Sequence, residues 1–174
     1  MTDSIRTLAR MFTAYKAWAD DVVYTSVSAI PGEEALKPRQ TLFGNMVHTL
    51  NHLHVVDDIF RAHLEGRPHD YTSRNATDPP LAELWQSVKQ MDRWYIDHVA
   101  ALSDAELHER IAFQFIGGGD GNMSRLEIVL HVVNHGTYHR GFVSDMLNQV
   151  GVRPPAGDLT VFLRDVWPAA SAAG

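Results

Sequence analysis

The chain contains no cysteine among its 174 residues. This absence excludes a disulfide framework, a thiol nucleophile supplied by the protein and a metal site built from thiolates. Proteins without cysteine are also compatible with a reducing compartment. We therefore expect a cytoplasmic protein.

Long apolar runs and basic clusters are missing as well. No stretch approaches the roughly 20 apolar residues that a membrane-spanning helix needs. The segment MTDSIRTLAR has no apolar core, so we expect no signal peptide. The formal net charge is −6, and phosphate binding requires a basic face. We expect neither a membrane nor a nucleic acid as partner.

What remains is the composition of a globular protein, with 45% hydrophobic and 21% charged residues. A chain of this length can bury a core without disulfides or a structural metal. We find no internal repeat and no domain boundary. The sequence predicts a single domain over residues 1–174.

Apolar residues recur every three or four positions in four segments, which is the period of one helix face. These segments cover residues 5–22, 42–64, 81–102 and 124–150. Pro or Gly follows or precedes each of them, as at helix ends. The pattern predicts an all-α four-helix bundle.

Smaller elements are predicted between and after the long helices. Ser103 and Glu106 have the spacing of a capping box, as do Ser124 and Glu127 at the start of the last long helix. The segment RIAFQFIGGGDGNMS predicts a small hairpin or loop, and DLTVFLRDVW predicts one or two further helical turns. GGGDG lacks the Gly-Lys-Ser/Thr of a phosphate loop, so we interpret it as a flexible turn and a candidate lid.

Histidines form the most unusual pattern. His131, His135 and His139 recur at intervals of four in HVVNHGTYHRG. On a helix, residues four apart lie about 6 Å apart along the axis, so His135 and His139 can share one ion. His131 lies about 12 Å from His139 and is a less suitable ligand. A third ligand would come from a facing helix, where the spacing leaves His48 and His52 as alternatives.

A simpler interpretation applies to the isolated histidines. We expect these four to be surface residues or hydrogen-bonded core residues: His63, His69, His98 and His108. The two pairs on two apolar helices differ, because buried imidazoles need partners and repel each other when protonated. A shared cation removes both difficulties.

The histidine segment and three others resemble the DinB family of four-helix-bundle proteins, also called the DinB/YfiT-like group. HVVNHGTYHRG is similar to its N-H-x-x-x-H-R-G motif, and TLNHLHVVDDIF to its Thr-Leu-x-His…Asp-x-x-aromatic segment. YKAWADD resembles its Tyr-x-x-Trp-Ala-Asn motif, and DLTVFLRD its closing segment. The resemblance spans nearly the whole chain. Asp20 stands at the place of the usual Asn, and Tyr138 replaces a frequent histidine.

The resemblance implies a three-histidine site for one divalent ion, with zinc or nickel expected. His52 is the implied ligand from the second helix, because it stands five residues before Asp57 in the family's register. His135 and His139 are the other two. Such a site leaves a position open at the ion.

The resemblance also implies an activity. Similar proteins are metal-dependent transferases of low-molecular-weight thiols, and a chain without cysteine suits a thiol that comes from the cosubstrate. Metal-dependent hydrolysis uses the same site. The alternative is a non-catalytic metal-binding or stress-associated protein. A polar pocket that reaches the ion, lined by Arg140, Tyr138 or the glycine turn, would favour the enzyme. We also expect a homodimer.

Residues close to the three histidines in the sequence are predicted to position the helices, the histidine rings or the substrate. We expect Arg140 to pair with Asp57 or Asp58 and fix the register of two helices; alternatively, it binds an anionic group of the substrate. Asp57 is a candidate to orient a ligand imidazole. Asn134 and Tyr138 are candidates to hydrogen-bond the substrate or cap the pocket.

Four further residues are interpreted structurally. Tyr15 and Trp18 are expected in the core. Gly136 and Gly141 reduce helix stability by roughly 1 kcal/mol each relative to Ala. We attribute them to close approach of a neighbouring helix.

Overall fold

The computed structural model describes residues 4–74, 77–154 and 156–167. Within these ranges the chain forms seven helices and one two-stranded sheet. In chain order they are α1 (Ile5–Ser28), α2 (Gly32–Leu36), α3 (Met46–Glu65), α4 (Leu81–Ala101), α5 (Asp104–Leu107), β1 (Arg110–Gln114), β2 (Asp120–Ser124), α6 (Arg125–Gln149) and α7 (Leu159–Asp165).

The four long helices form the predicted bundle. Helix α1 packs against α4 and α6, and α3 packs against the same two helices. Within the part of the chain that the structure describes, their buried apolar side chains form four clusters. The largest fully buried side chains include Tyr24, Tyr95, Met46, Leu50 and Ile128. The all-α fold class expected from the periodicity is confirmed.

The helix ends follow from local side-chain chemistry. Ser4 accepts a hydrogen bond from the Thr7 amide at the start of α1, and Asn45 accepts one of 2.7 Å from the His48 amide at the start of α3. Gly66 ends α3 with φ of 66°, a left-handed conformation that glycine adopts without strain.

The second apolar segment begins later than the sequence predicted. Leu42 lies before Met46, the first residue of α3, and its side chain is 62% exposed. The reason is local, since Gly44 has φ of 79° and Asn45 caps the helix, so helical backbone cannot extend back to Leu42. The short helix α2 was not predicted.

The smaller predicted elements are present. Both capping boxes form, at Ser103 with Glu106 and at Ser124 with Glu127. Strands β1 and β2 pair antiparallel around residues 115–119, and β1 contacts α3 while β2 contacts α6. The hairpin therefore lies beside the two helices that carry the histidine pairs. No helix in the described ranges is long and apolar enough to cross a membrane.

Candidate metal centre

Three histidines meet where α3 packs against α6. His52 projects from α3, and His135 and His139 project from successive turns of α6. One ring nitrogen from each lies within 4.8 Å of the other two. The structure thus brings together the three residues that the resemblance implied as ligands.

The nitrogen geometry fits a divalent ion. His52 Nδ1 lies 2.9 Å from the carbonyl oxygen of Arg74, and a carbonyl only accepts, so Nδ1 carries the proton and Nε2 keeps its lone pair. That Nε2 lies 3.3 Å from His135 Nε2. Two ligands of a tetrahedral ion with bonds near 2.0–2.1 Å are separated by about 3.3 Å. His52 and His135 are therefore already spaced for tetrahedral coordination.

Two further ring nitrogens lack a partner. Nδ1 of His135 and Nδ1 of His139 are buried and have no hydrogen-bond partner within the described part of the chain. His135 turns its Nε2 to His52, so its Nδ1 requires a partner other than an ion held by Nε2, such as water. The donor set of three neutral nitrogens suits zinc, nickel and similar ions.

The electrostatics keep the three rings neutral. Burial, together with the neighbouring imidazoles, lowers the pKa of His135 to about 3. Burial and His52 lower the pKa of His139 to about 4, and burial also lowers that of His52. All three rings can therefore offer lone pairs to an ion at neutral pH without first losing a proton.

The cluster opens into a cavity of about 590 Å³, which we call the outer cavity. Besides the three histidines, its lining comprises Leu42, Phe43, Thr72, Ser73, Arg74, Ile116, Gly117 and Tyr138. The Phe43 ring stacks on His52 with centroids 4.2 Å apart. The site is therefore walled by the loop before α3 on one side and by the glycine turn of the hairpin on another.

The two other candidate ligands lie outside the cluster. His48 places Nδ1 2.7 Å from a carboxylate oxygen of Asp78. His131 packs its ring against Phe60, with centroids 4.7 Å apart. Of the alternatives that the spacing left open, His52 is the one that reaches His135 and His139.

Comparison with known proteins agrees with this fold. A model of the DinB family matches residues 1–167. The chain belongs to the DinB family. Protein DinB of Bacillus subtilis (strain 168) is 25% identical over 156 residues, which cover 86% of this chain and 90% of that protein.

A solved structure resembles the DinB fold of this chain. It is the crystal structure of a DinB-like protein from Bacillus cereus ATCC 10987, with a TM-score of 0.60 and 12% sequence identity. The match covers 83% of this chain and 94% of that one. At this identity the likeness concerns the fold alone.

Arg140 does not have the partner that we expected in this DinB chain. Its Nη1 donates to Asp20 on α1 at 2.8 Å, and neither Asp57 nor Asp58 is paired with it. Arg140 follows His139 by one residue, so it lies about 100° further around α6 and faces α1. It is 5% exposed and does not line the outer cavity. The alternative role, binding a substrate anion, stays a prediction that this buried position does not favour.

Asp57 makes no hydrogen bond to a ligand histidine, and Asn134 does not line the outer cavity. The Asp57 carboxylate lies 2.8 Å from Lys16 Nζ, and the Arg74 carbonyl is the group that orients His52. The Asn134 side chain is exposed and makes no hydrogen bond within the ranges that the structure describes. One residue before His135, its side chain is turned about 100° away from the site.

Tyr138 lies at the edge of the site, as expected, whereas close approach of a neighbouring helix explains neither Gly136 nor Gly141. Tyr138 is 60% exposed at the outer cavity, with its ring 5.0 Å from that of His139. A Cβ on Gly136 would lie 2.7 Å from Arg140 Nη1, so this glycine makes room for the guanidinium of its own helix. Gly141 has no atom within 4 Å of a Cβ position, so a neighbouring helix of the same chain does not explain it.

A buried charge cluster next to the site was not predicted. Lys16 Nζ lies 2.8 Å from Asp20, 2.8 Å from Asp57 and 2.6 Å from Asp92, which ties together α1, α3 and α4. Arg140 joins α6 to it through Asp20. One signal was available, since Lys16 and Asp20 have helical i,i+4 spacing beside the apolar stripe of α1.

The cluster has two cations and three carboxylates, so one carboxylate is uncompensated. Burial would lower the pKa of Lys16, but the three carboxylates outweigh it and raise the pKa well above its ordinary value. Burial would raise the pKa of Asp20, but Lys16 and Arg140 outweigh it and lower the pKa. Burial raises the pKa of Asp57 to about 6 and that of Asp92 to about 7.

Proposed function

We propose that this DinB protein is a divalent-metal-dependent enzyme that transfers a low-molecular-weight thiol to a second substrate. His52, His135 and His139 would hold the ion. The observation that supports the proposal is the outer cavity, which brings solvent and a small molecule to the three histidine nitrogens. A site meant only to store an ion needs no such opening.

The ion would supply positive charge that lowers the pKa of a bound thiol, or of water if the enzyme is a hydrolase. In the transfer, the thiol sulfur forms a bond to an electrophilic carbon of the acceptor, and the leaving group departs with its electron pair. The thiol proton passes to solvent. The thiol comes from the cosubstrate, because the chain has no cysteine.

Side chains around the histidines would position the two substrates. Tyr138 lies exposed at the rim of the outer cavity, where its hydroxyl would hydrogen-bond a substrate. Phe43 covers one face of His52 and limits the approach of water there. These roles use only residues that line the outer cavity.

A direct spectrophotometric assay with defined thiols and one acceptor tests the activity. The zinc-loaded and nickel-loaded proteins are incubated with glutathione, cysteine or coenzyme A and 1-chloro-2,4-dinitrobenzene, and the thioether is measured by its absorbance. We expect metal-dependent turnover with at least one thiol, at least 100-fold slower in His139→Ala and unchanged in His48→Ala.

Two other outcomes separate the alternatives. Hydrolysis of 4-nitrophenyl acetate that needs the metal but no thiol would assign a hydrolase. Stoichiometric metal binding with no turnover in either assay would contradict the enzyme and favour a metal-binding protein.

A further inference from the structure

A second cavity adjoins the outer cavity. It has a volume of about 120 Å³, and we call it the inner cavity. Three residues line both cavities: Arg74, Ile116 and His135. A molecule that reaches the three histidines is therefore also at the entrance to the inner cavity.

The inner cavity is apolar for most of its wall. Val56, Ile59, Phe60 and His63 line it from α3, and Gln114, Phe115 and Ile116 line it from the hairpin. His131 and His135 line it from α6, so the polar part of the wall consists of imidazoles, one amide and Arg74. A dry cavity of about 150 Å³ with similar lining holds a benzene molecule. The inner cavity therefore suits a slightly smaller group, such as an alkyl chain of about four to five carbons.

Arg74 lies where the outer and inner cavities meet and brings a positive charge there. Within the described residues its guanidinium makes no ion pair or hydrogen bond, although its backbone carbonyl holds His52. It is also the only Asp, Glu, Lys or Arg among the described residues that line either cavity. A guanidinium pairs with carboxylate or phosphate. A single cation matches the single charge of a carboxylate and leaves part of a phosphate dianion uncompensated.

We propose that the inner cavity receives the alkyl group of a small carboxylate-bearing substrate whose carboxylate pairs with Arg74. The substrate's electrophilic carbon would lie at the three histidines, and this part of the inference rests on the proposed function. The acceptor of the thiol is then an amphipathic carboxylate. Discrimination among acceptors comes from the depth of the inner cavity and the charge of Arg74.

Binding of straight-chain alkanoates tests the inference without any turnover. Butanoate to octanoate are titrated into the 174-residue chain, with zinc and without it, and amide chemical shifts of residues 112–116 and 128–132 are followed by NMR. Each methylene buried in an apolar site is worth about a fourfold tighter Kd. We expect that gain up to about hexanoate and a plateau beyond it.

Charge variants and probes test the role of Arg74. Arg74→Gln leaves the backbone carbonyl in place, and we expect it to weaken every alkanoate about tenfold. Arg93→Gln is the matched control, because Arg93 pairs with Asp97 on the exposed face of α4. Hexylammonium should not bind. Hexyl phosphate binding more tightly than hexanoate would overturn the assignment of a carboxylate.

Two wall variants test the cavity. Val56→Phe fills it and should abolish the dependence on chain length while the carboxylate still binds. Ile116 is a half-buried residue in an otherwise exposed hairpin turn, so Ile116→Ala should fold even if Val56→Phe does not, and it should reduce the gain per methylene. A folded wild type without chain-length dependence, or with equal affinity in Arg74→Gln, would overturn the inference.

The design separates the two proposals. If zinc does not bind but hexanoate does, the proposed function fails and the inner cavity is still a carboxylate site. If zinc binds and hexanoate does not, the inner cavity is not the acceptor site and the metal-dependent activity is unaffected.

Discussion

Single residues at this site act through neighbours that are distant in the sequence. The backbone carbonyl of Arg74 sets the protonated nitrogen of His52. Asp20 holds Arg140 against α1. Neither relation is visible in the spacing of residues on one helix. For that reason the sequence predicted a partner for Arg140 on the wrong helix.

Removing Asp20 should cost much of the stability of the fold. Asp20→Ala leaves Arg140 and Lys16 buried without this carboxylate, and breaking a buried pair costs about 3–5 kcal/mol. Urea unfolding followed by circular dichroism measures the free energy of unfolding. The adjacent Asp21→Ala is the control, because Asp21 is exposed and lies 3.6 Å from an exposed Lys89. Equal losses in both variants would contradict the account of the buried cluster.

The uncompensated carboxylate predicts a dependence of stability on pH. The pKa of Asp92 is about 7 in the folded protein and about 3.9 in an unfolded chain. Between these values the folded state binds more protons than the unfolded state, so this group reduces the free energy of unfolding as pH rises.

Asp92→Asn should remove that contribution. Its free energy of unfolding relative to wild type should therefore increase from pH 5 to pH 8, as measured by urea unfolding at several pH values. The comparison cancels the titrating groups that do not interact with Asp92, whereas Lys16, Asp20 and Asp57 form one cluster with it and contribute to the difference. If the difference in free energy of unfolding between the two proteins stayed constant from pH 5 to pH 8, Asp92 would be ionised in the folded protein over this whole range. That result would contradict the prediction.

Among the elements, α6 contributes two of the three histidines and also Arg140. It begins at a capping box that also ends the hairpin, turns His135 and His139 toward α3, and turns Arg140 toward α1. The helix, its caps and its histidine pair were predictable, because they depend on local spacing. The choice between His48 and His52 was not, because it depends on the rotation of α3 against α6; only the family resemblance resolved it.

The two glycines of α6 should respond in opposite directions to alanine. Gly136→Ala places a Cβ against Arg140 Nη1 and should displace the guanidinium from Asp20, which destabilises the fold. Gly141→Ala meets nothing within 4 Å and should stabilise α6 by up to about 1 kcal/mol. Thermal unfolding of the two variants measures both effects. Stabilisation by Gly136→Ala would contradict the role given to Arg140.

At the scale of the whole molecule, the bundle was predictable and the charge cluster was not. Four apolar stripes are enough to predict four packed helices. A lysine that meets carboxylates from three helices requires the helices to be docked first. The outer and inner cavities likewise depend on the loop before α3 and the hairpin, whose positions no periodicity specifies.

The homodimer is a prediction for the whole molecule. Gly141 has open space at its Cβ position, and Leu130 and Tyr138 are exposed on the same helix. A second copy that packs on this face would cover the exposed side chains of Leu130 and Tyr138. Size-exclusion chromatography with light scattering should give twice 19.5 kDa. A mass of one chain at micromolar concentration would contradict it.

The most direct test of the metal centre is the metal content of the purified protein. Inductively coupled plasma mass spectrometry is applied to wild type, His52→Ala, His135→Ala and His139→Ala, each also after reloading with zinc. His48→Ala is the control. We predict about one divalent ion per chain in wild type and in His48→Ala, and loss of the ion in the other three variants. Retention of the ion by His52→Ala, or no ion in any reloaded sample, would contradict a site formed by these three histidines.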